Sequence, residues 1–313
     1  MAERHYDVAV IGGGPAGYTA ALYCARSGLT VAVLEKLSAG GQMATTDWVE
    51  NYPGFDEGIN GFELAQQMER QARRFGAESI YGEVTEVGLS ARPKRMVSSE
   101  GVITADAVIL ATGAYPRELG LPDEGALRGR GVAYCATCDG MFYKGKTVVV
   151  AGGGNTAVED ALYLSKLCRK VYLVHRRDRL RAPASSRQTL EGNGVEILWN
   201  TRITGLRREK TLTGVELEDV ASGARRELAC DGLFVAVGRV PDTALFAGQV
   251  EMDGAGYLKA DESTRTSVPG VFAAGDVRTK AVRQVVTAAA DGAVAAHFAE
   301  EYLLALREGA EPL

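Results

Sequence analysis

Gly12-Gly-Gly-Pro-Ala-Gly17 and its echo, Gly152-Gly-Gly-Asn-Thr-Ala157, decide the fold. The first follows His5-Tyr-Asp-Val-Ala-Val-Ile11, which reads as a short strand rich in β-branched residues. An Ala-rich helical stretch, Tyr18 to Ser27, comes next and stops at Gly28. Thr30-Val-Ala-Val-Leu34 then reads as a second strand, ending at Glu35. Strand, glycine turn, helix and strand in this order, within about 30 residues, make a βαβ unit. The same order recurs with Thr147–Ala151 as strand, Val158–Leu167 as helix and Lys170–Val174 as the next strand. Shifting the first unit by 140 positions lays it over the second, so that Ala21-Leu22-Tyr23 falls on Ala161-Leu162-Tyr163 and Glu35 on His175. The expected fold is α/β with two nucleotide-binding, Rossmann-like domains in one chain.

Around these units, further strands are expected at Ala107–Ala111, Gly194–Trp199, Leu212–Leu217, Gly232–Val237 and Val271–Ala274. Phe62 to Phe75 reads as an amphipathic helix, with Phe62, Leu64, Ala65, Met68, Ala72 and Phe75 on its apolar side. Arg283 to Leu306 reads as one or two helices. Proline marks linkers at Tyr115–Pro122 and Arg239–Asp242. The chain is therefore divided into a discontinuous outer domain, 1–115 with 243–313, and an inserted middle domain, 116–242.

Composition excludes several classes. The 313 residues carry a net charge of −5, with 46% hydrophobic and 24% charged residues, which is ordinary for a folded globular protein. No apolar run approaches the ~18 residues of a membrane span. Met1 to Tyr6 is polar and charged, and Val8–Ile11 is too short for a signal-peptide core. Mild acidity offers no global field for nucleic acid. Five cysteines are too few and too odd a number for a secreted disulfide framework. Cys24, Cys168 and Cys230 stand isolated and read as packed thiols, which favours a reducing, cytoplasmic setting. The 38 glycines, by contrast, cluster at the ends of apolar runs, as many tight strand-to-helix turns require.

The chemistry lies in four motifs. In Gly12-x-Gly14-x-x-Gly17 the first glycine permits the turn, the second admits a pyrophosphate to the backbone, and the third lets helix and strand pack. The phosphates then meet the positive helix N-terminus, and Glu35 can accept from ribose hydroxyls. In the second unit the acid is replaced by His175-Arg176-Arg177, with Arg181 four residues on. A carboxylate there would repel a 2′-phosphate, whereas guanidinium groups bind it. The first site is thus expected to take a dinucleotide with free ribose hydroxyls and the second to take NADPH. Cys135-Ala-Thr-Cys138 can cycle between dithiol and disulfide. A zinc site needs about four ligands, and none of the three histidines lies near the pair; two incidental cysteines are the blander alternative. Asp139 is either a proton donor and acceptor beside the pair or a turn residue before Gly140. Gly270-Val-Phe-Ala-Ala-Gly-Asp276-Val places a carboxylate at a strand end, with Arg283-Gln284 opening the next helix.

Together these pieces resemble the low-molecular-weight thioredoxin reductases of the two-domain flavoprotein disulfide reductase type, over essentially the whole chain. Gly40-Gly41-Gln42, Glu50-Asn51-Tyr52-Pro53-Gly54 and Ala111-Thr112-Gly113 match that family's flavin-contacting stretches. The resemblance implies an FAD domain made of both chain ends and an NADPH domain inserted within it. FAD would be held by Gly12, Gly14, Pro15, Ala16, Gly17, Glu35, Lys36, Gly41, Gln42, Asn51, Val84, Ala111, Thr112, Gly113, Gly275, Asp276, Arg283, Gln284 and Val285. NADPH would be held by Gly152, Gly154, Asn155, Thr156, His175, Arg176, Arg177, Arg181 and Gly238. Cys138 would face the flavin, Cys135 would attack the thioredoxin disulfide, and Asp139 would be the acid and base. No metal is implied.

By the same resemblance, electrons would run from NADPH through FAD and the Cys135–Cys138 disulfide to thioredoxin, in a homodimer. Thr156 and Ala290 depart from residues common in the family without removing any of these groups, and Gly238-Arg239 stands in place of a frequent Gly-His pair, a departure to which no effect is assigned. Disulfide and nicotinamide cannot share one flavin face, so the middle domain is expected to take two arrangements, hinged near Tyr115–Pro116 and Arg239–Asp242. Arg128 and Arg130, just before the pair, are candidates to guide an acidic partner. A hydroperoxide-reductase subunit would add an N-terminal thioredoxin-like module. Ferredoxin-dependent or dithiol-oxidase relatives would lack the arginine cluster, and a ferredoxin–NADP reductase relative would lack the cysteine pair. A non-catalytic dinucleotide sensor would have no use for Cys135, Cys138 and Asp139.

Overall fold

Apolar, β-branched runs flanked by glycine turns form parallel strands because both faces of such a strand can be covered by helices. The computed structural model describes residues 3–46, 48–182 and 185–310, so the domain ends at 1, 2 and 311–313 lie outside the described residues. The chain divides into two compact units, Met1–Tyr115 with Val240–Leu313, and Pro116–Arg239. The second crossing thus comes at Val240, earlier than the 242/243 boundary read from proline. Asp242 is tied to the first unit: its amide donates to the Gly113 carbonyl at 3.0 Å, and its own carbonyl accepts from Thr112 Oγ1 at 2.6 Å.

In chain order, the first unit begins with β1 (Glu3–Ile11), α1 (Pro15–Arg26), β2 (Val31–Glu35), α2 (Gly61–Arg74) and β3 (Glu78–Tyr81). It continues with β4 (Val84–Gly88), β5 (Lys94–Ser98) and β6 (Gly101–Leu110). The strand β7 (Ala114–Pro116) then leaves the unit. The second unit contains β8 (Val132–Ala133), α3 (Ala136–Asp139), β9 (Thr147–Gly152), α4 (Asn155–Ser165), β10 (Lys170–Val174), α5 (Ser185–Gly192) and β11 (Glu196–Leu198). An antiparallel ribbon follows, β12 (Thr201–Arg208), β13 (Leu212–Asp219) and β14 (Arg225–Ala229), then β15 (Gly232–Ala236). The chain returns through β16 (Arg239–Pro241) to β17 (Val271–Ala273) and α6 (Val285–Arg307) of the first unit. The C-terminal helical pattern is therefore one helix.

The first unit's sheet runs β3-β2-β1-β6-β5-β4, with β17 also paired to β6. β1 is parallel to β2 (Ile11 opposite Leu34) and to β6 (Ile11 opposite Leu110), which brings the Gly12 turn to the carboxyl end of the central strands. Alternation along β1 serves two cores. Val8 and Val10 pack with α1 and α6, and Ala9 and Ile11 with Met96, Ile103, Leu110 and Phe246. Each fully buried Val, Leu or Phe contributes roughly 1.5–3 kcal/mol. α1 and α6 approach closely at Gly292, where any side chain would strike the Ala16 carbonyl. Asn60 caps α2, its side-chain Oδ1 accepting from the Phe62 and Glu63 amides at 3.0 and 3.1 Å.

The second unit repeats this logic. Its sheet order is β11-β10-β9-β15-β8, and every pairing in it is parallel. β15 stands to β9 as β6 stands to β1, so the Gly152 turn also sits at the carboxyl end of central strands. Val148, Val150 and Phe234 face α4, whereas Val149, Leu233 and Val235 face the antiparallel ribbon. The alternation expected of covered parallel strands therefore accounts for both layers.

Candidate active site

The first glycine turn is shaped by its lack of side chains. Gly12 has φ +107°, and a Cβ there would strike the Ala111 carbonyl; at Gly17 it would strike the Gly12 carbonyl. Gly14 has nothing within 4 Å of its missing Cβ. The turn is therefore tight on the protein side and open at Gly14, as a cradle for a phosphate-bearing group requires. Gly14 also begins α1, where no side chain caps the helix and Pro15 occupies the first turn. The uncapped amides leave a positive end for an anion.

Glu35 ends β2 beside this turn. Its Oε2 accepts from the Gly13 amide at 2.7 Å and its Oε1 from the Leu37 amide at 3.3 Å, which fixes the carboxylate. Lys36 turns to Glu83, 2.6 Å away, next to Val84 at the start of β4. Gly40 donates to the Gly13 carbonyl at 2.7 Å, which brings Gly41 alongside Gly14, with Gln42 next in the chain. Ala111, Thr112 and Gly113 continue from β6, the Ala111 amide bonding the Ile11 carbonyl at 2.8 Å. Asn51 Nδ2 donates to Gln284 Oε1 at 3.1 Å, joining the loop at 51 to the cap of α6, where Val285 begins the helix. Ala16 is buried, and a Cβ on Gly275 would lie 2.9 Å from its own. All the residues assigned from the sequence to the first site thus lie in one unit.

The support beneath Gly275 and Asp276 escaped the sequence reading. Asp291, on α6, accepts from the Gly275 amide and Arg278 Nε at 2.9 Å each, from Arg278 Nη2 at 3.1 Å and from Lys280 Nζ at 2.8 Å. Burial raises the Asp291 carboxyl, but hydrogen bonds from Arg278 and Lys280 outweigh it, and the group sits below its ordinary range. The remaining Arg278 nitrogen donates to the carbonyls of Ala260, Asp261 and Thr279. Arg283 stacks its guanidinium 4.1 Å from the Tyr257 ring centroid. An acidic residue on the inward face of an Ala-rich helix was the available signal.

In the second unit Gly154 begins α4, followed by Asn155 and Thr156, and again no side chain caps the helix. His175 does not project outward: its ring lies over Gly153, where a Cβ would collide with it, and its Nε2 is 2.9 Å from the Arg179 carbonyl. Burial lowers the His175 pKa, and the Arg177 and Arg181 charges lower it further. His175 is therefore a neutral packing element, whereas Arg176, Arg177 and Arg181 are exposed. The Arg181 amide bonds the Gly153 carbonyl at 2.7 Å, which holds that arginine against the glycine turn. Gly238, at φ +117°, accepts from the Arg117 amide at 2.9 Å. On α4, burial and the Glu159 charge push Asp160 up to about 7, despite Arg239.

Cys135 and Cys138 are joined as a disulfide, with Cα atoms 5.3 Å apart. Cys135 is the cap of α3, and the Asp139 amide closes the turn on the Cys135 carbonyl at 3.1 Å. Cys135 Sγ lies 3.4 Å from Thr137 Oγ1. Gly140 is required behind the pair, since a Cβ would lie 2.8 Å from the Tyr163 ring. Burial, and then the Asp139 charge, push the neighbouring Tyr143 phenol up to about 12. Met141 and Phe142 follow directly and are each 47% exposed, an apolar surface beside the disulfide. The other cysteines, Cys24, Cys168 and Cys230, are free thiols.

Two glycine-turn units and a disulfide in the second define a class, and the family described as pyridine nucleotide-disulphide oxidoreductase matches residues 6–292. A thioredoxin reductase from Treponema pallidum is 47% identical over 302 residues, covering 96% of this chain and 98% of that protein. One from Streptomyces clavuligerus is 49% identical over 313 residues, covering 98% and 97%. The crystal structure of thioredoxin reductase from Streptococcus pyogenes superposes with a TM-score of 0.90 at 41% identity, covering 97% of this chain and all of that one. The chain belongs to the thioredoxin reductase family and is an oxidoreductase.

Proposed function

We propose that this protein passes electrons from NADPH through FAD and the Cys135–Cys138 disulfide to oxidised thioredoxin. The observation that carries the reading is the Cys135–Cys138 disulfide capping α3, in the same unit as a glycine turn flanked by exposed arginines. The first turn fits FAD: it is open at Gly14, positive at the α1 end, and has a fixed carboxylate at Glu35 for ribose hydroxyls. Asn51, Thr112, Asp276, Arg283 and Gln284 would orient the rest of that cofactor. Gly152, Gly154 and Thr156 would hold the NADPH pyrophosphate, with Arg176, Arg177 and Arg181 on its 2′-phosphate. When bound, the flavin supplies two-electron transfer between a nicotinamide donor and a disulfide.

On reduction of the pair, each sulfur gains one electron, and Asp139 is placed one residue from Cys138 to move the accompanying proton. Cys138 would face the flavin. The Cys135 thiolate would attack the thioredoxin disulfide, with Met141 and Phe142 as the apolar contact and Arg128 and Arg130 steering an acidic partner. Because a thioredoxin and a flavin cannot both reach one disulfide, we infer two arrangements of the inserted unit, turning on β7 and β16. A crosslink between the units should stall turnover, and full turnover in the crosslinked protein would disprove the rotation. The reading includes a homodimer in the cytoplasm. Among the described residues no helix is long and apolar enough to cross a membrane.

The test is an anaerobic NADPH titration followed by flavin absorbance, then thioredoxin addition with NADPH consumption recorded. Bleaching, with thioredoxin-dependent turnover that vanishes in Cys138→Ser, is expected. Bleaching without thioredoxin turnover would move the substrate to another disulfide. No bleaching would refute the NADPH site.

A further inference from the structure

Upstream of the redox pair, Glu124 is 2% exposed and its carboxylate accepts four hydrogen bonds. Oε1 takes the Leu119 amide and the Tyr134 hydroxyl, each at 2.9 Å, and Oε2 takes the Gly120 and Leu121 amides at 2.8 and 3.1 Å. A buried carboxylate is tolerated only when donors converge on it in this way. The two sets of donors come from functionally different places. Residues 119–121 continue the segment that enters the unit at Pro116, whose next residue, Arg117, is bonded to Gly238 beside the exit. Tyr134 is covalently joined to Cys135.

Tyr134 is held from two sides. Its hydroxyl is spent on Glu124, and the Arg128 guanidinium lies 5.0 Å from its ring centroid. Burial and Glu124 both raise its pKa, so it stays a donor. Cys135 is therefore fixed on both flanks, by Tyr134 before it and by the α3 turn after it. We propose that Glu124, acting through Tyr134, is a positioning residue for the Cys135–Cys138 pair. By holding the Cys135 backbone it raises the effective concentration of one sulfur against the other and so makes the disulfide harder to reduce. The proposal rests on the reading of this pair as redox-active.

The test equilibrates the holoprotein with glutathione buffers, alkylates free thiols and quantifies the peptide carrying Cys135 and Cys138 by mass spectrometry. In the exchange the Cys135–Cys138 bond breaks, each sulfur gains an electron and a proton, and two glutathione thiols join as a disulfide. Tyr134→Phe removes one hydroxyl and keeps the ring. It should shift the equilibrium about threefold toward the dithiol, roughly 14 mV for a two-electron couple. Glu124→Gln should shift it at least as far, and the double variant no further than Glu124→Gln. A Tyr134→Phe equilibrium equal to wild type, with or without a lower melting temperature, would overturn the proposal. So would a double variant whose shift is the sum of the two singles. If Glu124→Gln does not fold, Tyr134→Phe decides alone. A wild-type pair inert to glutathione would instead refute the redox reading beneath it.

Discussion

Replacing Asp291 by asparagine keeps the size of the side chain and removes the charge on which Gly275, Arg278 and Lys280 converge. Arg278 and Asp291 are both buried, so the variant leaves buried cations without their counter-charge. Removing one partner of a buried ion pair costs about 3–5 kcal/mol. An amide that retains one acceptor oxygen should sit at the low end, about 3 kcal/mol. In a unit of this size each kcal/mol moves the melting temperature by roughly 2–4 °C, so a fall of about 6–12 °C is expected. The chain has two tryptophans, Trp48 in the first unit and Trp199 in the second, so Trp199→Phe leaves a fluorescence reporter of the affected unit alone.

The dependence on pH has a definite sign. The Asp291 carboxyl is lowered on folding, so its stabilisation is present above the unfolded value of about 3.9 and is lost as pH falls through the folded one. Wild type and variant should therefore differ most at neutral pH and converge in acid. A fall of less than about 2 °C at pH 7, or a difference that stays constant down to pH 3, would refute the reasoning.

Three further outcomes are expected. Arg177→Glu should raise the KM for NADPH about 10- to 100-fold with little change in kcat, as loss of a charge-assisted hydrogen bond predicts; steady-state kinetics with NADPH and NADH check it. Phe142→Ser should raise the KM for thioredoxin several-fold and leave reduction of a small dye intact, because only a protein substrate covers that exposed ring. Lys94 is 2% exposed, donates to the Leu89 carbonyl at 3.2 Å, and is held at about 8 by burial and by the Arg92 charge, against Asp106. The unfolded chain binds that proton more tightly, so wild-type stability should rise from pH 8 toward 10, and Lys94→Met should be more stable at pH 7 and lack the rise; denaturant midpoints across this range decide.

What the sequence made legible is local. The βαβ order, the glycine at Gly17 and the cysteine pair depend on residues nearby in the chain, and each is written in contiguous sequence, whereas the Ala111 carbonyl that closes on Gly12 comes from a distant strand. The antiparallel strands β4, β5, β12 and β14 were not read, because segments interrupted by charged residues, such as Arg225–Ala229, carry alternation too weak to separate from loop. The inward turn of His175 was hidden as well: at the ribose-reading position it looks like a ligand, and only the packing over Gly153 shows it as core.

By itself, then, the sequence determined that two glycine turns between strand and helix and a closely spaced cysteine pair share one chain, since these motifs are set by backbone conformation at adjacent residues. Only the tertiary structure decided what holds them in place. Asp291 reaches back to Gly275, Arg278 and Lys280, and Glu124 joins the 119–121 amides to Tyr134. Buried polar groups must find partners wherever the fold brings donors together, and no spacing along the chain records which donors those are.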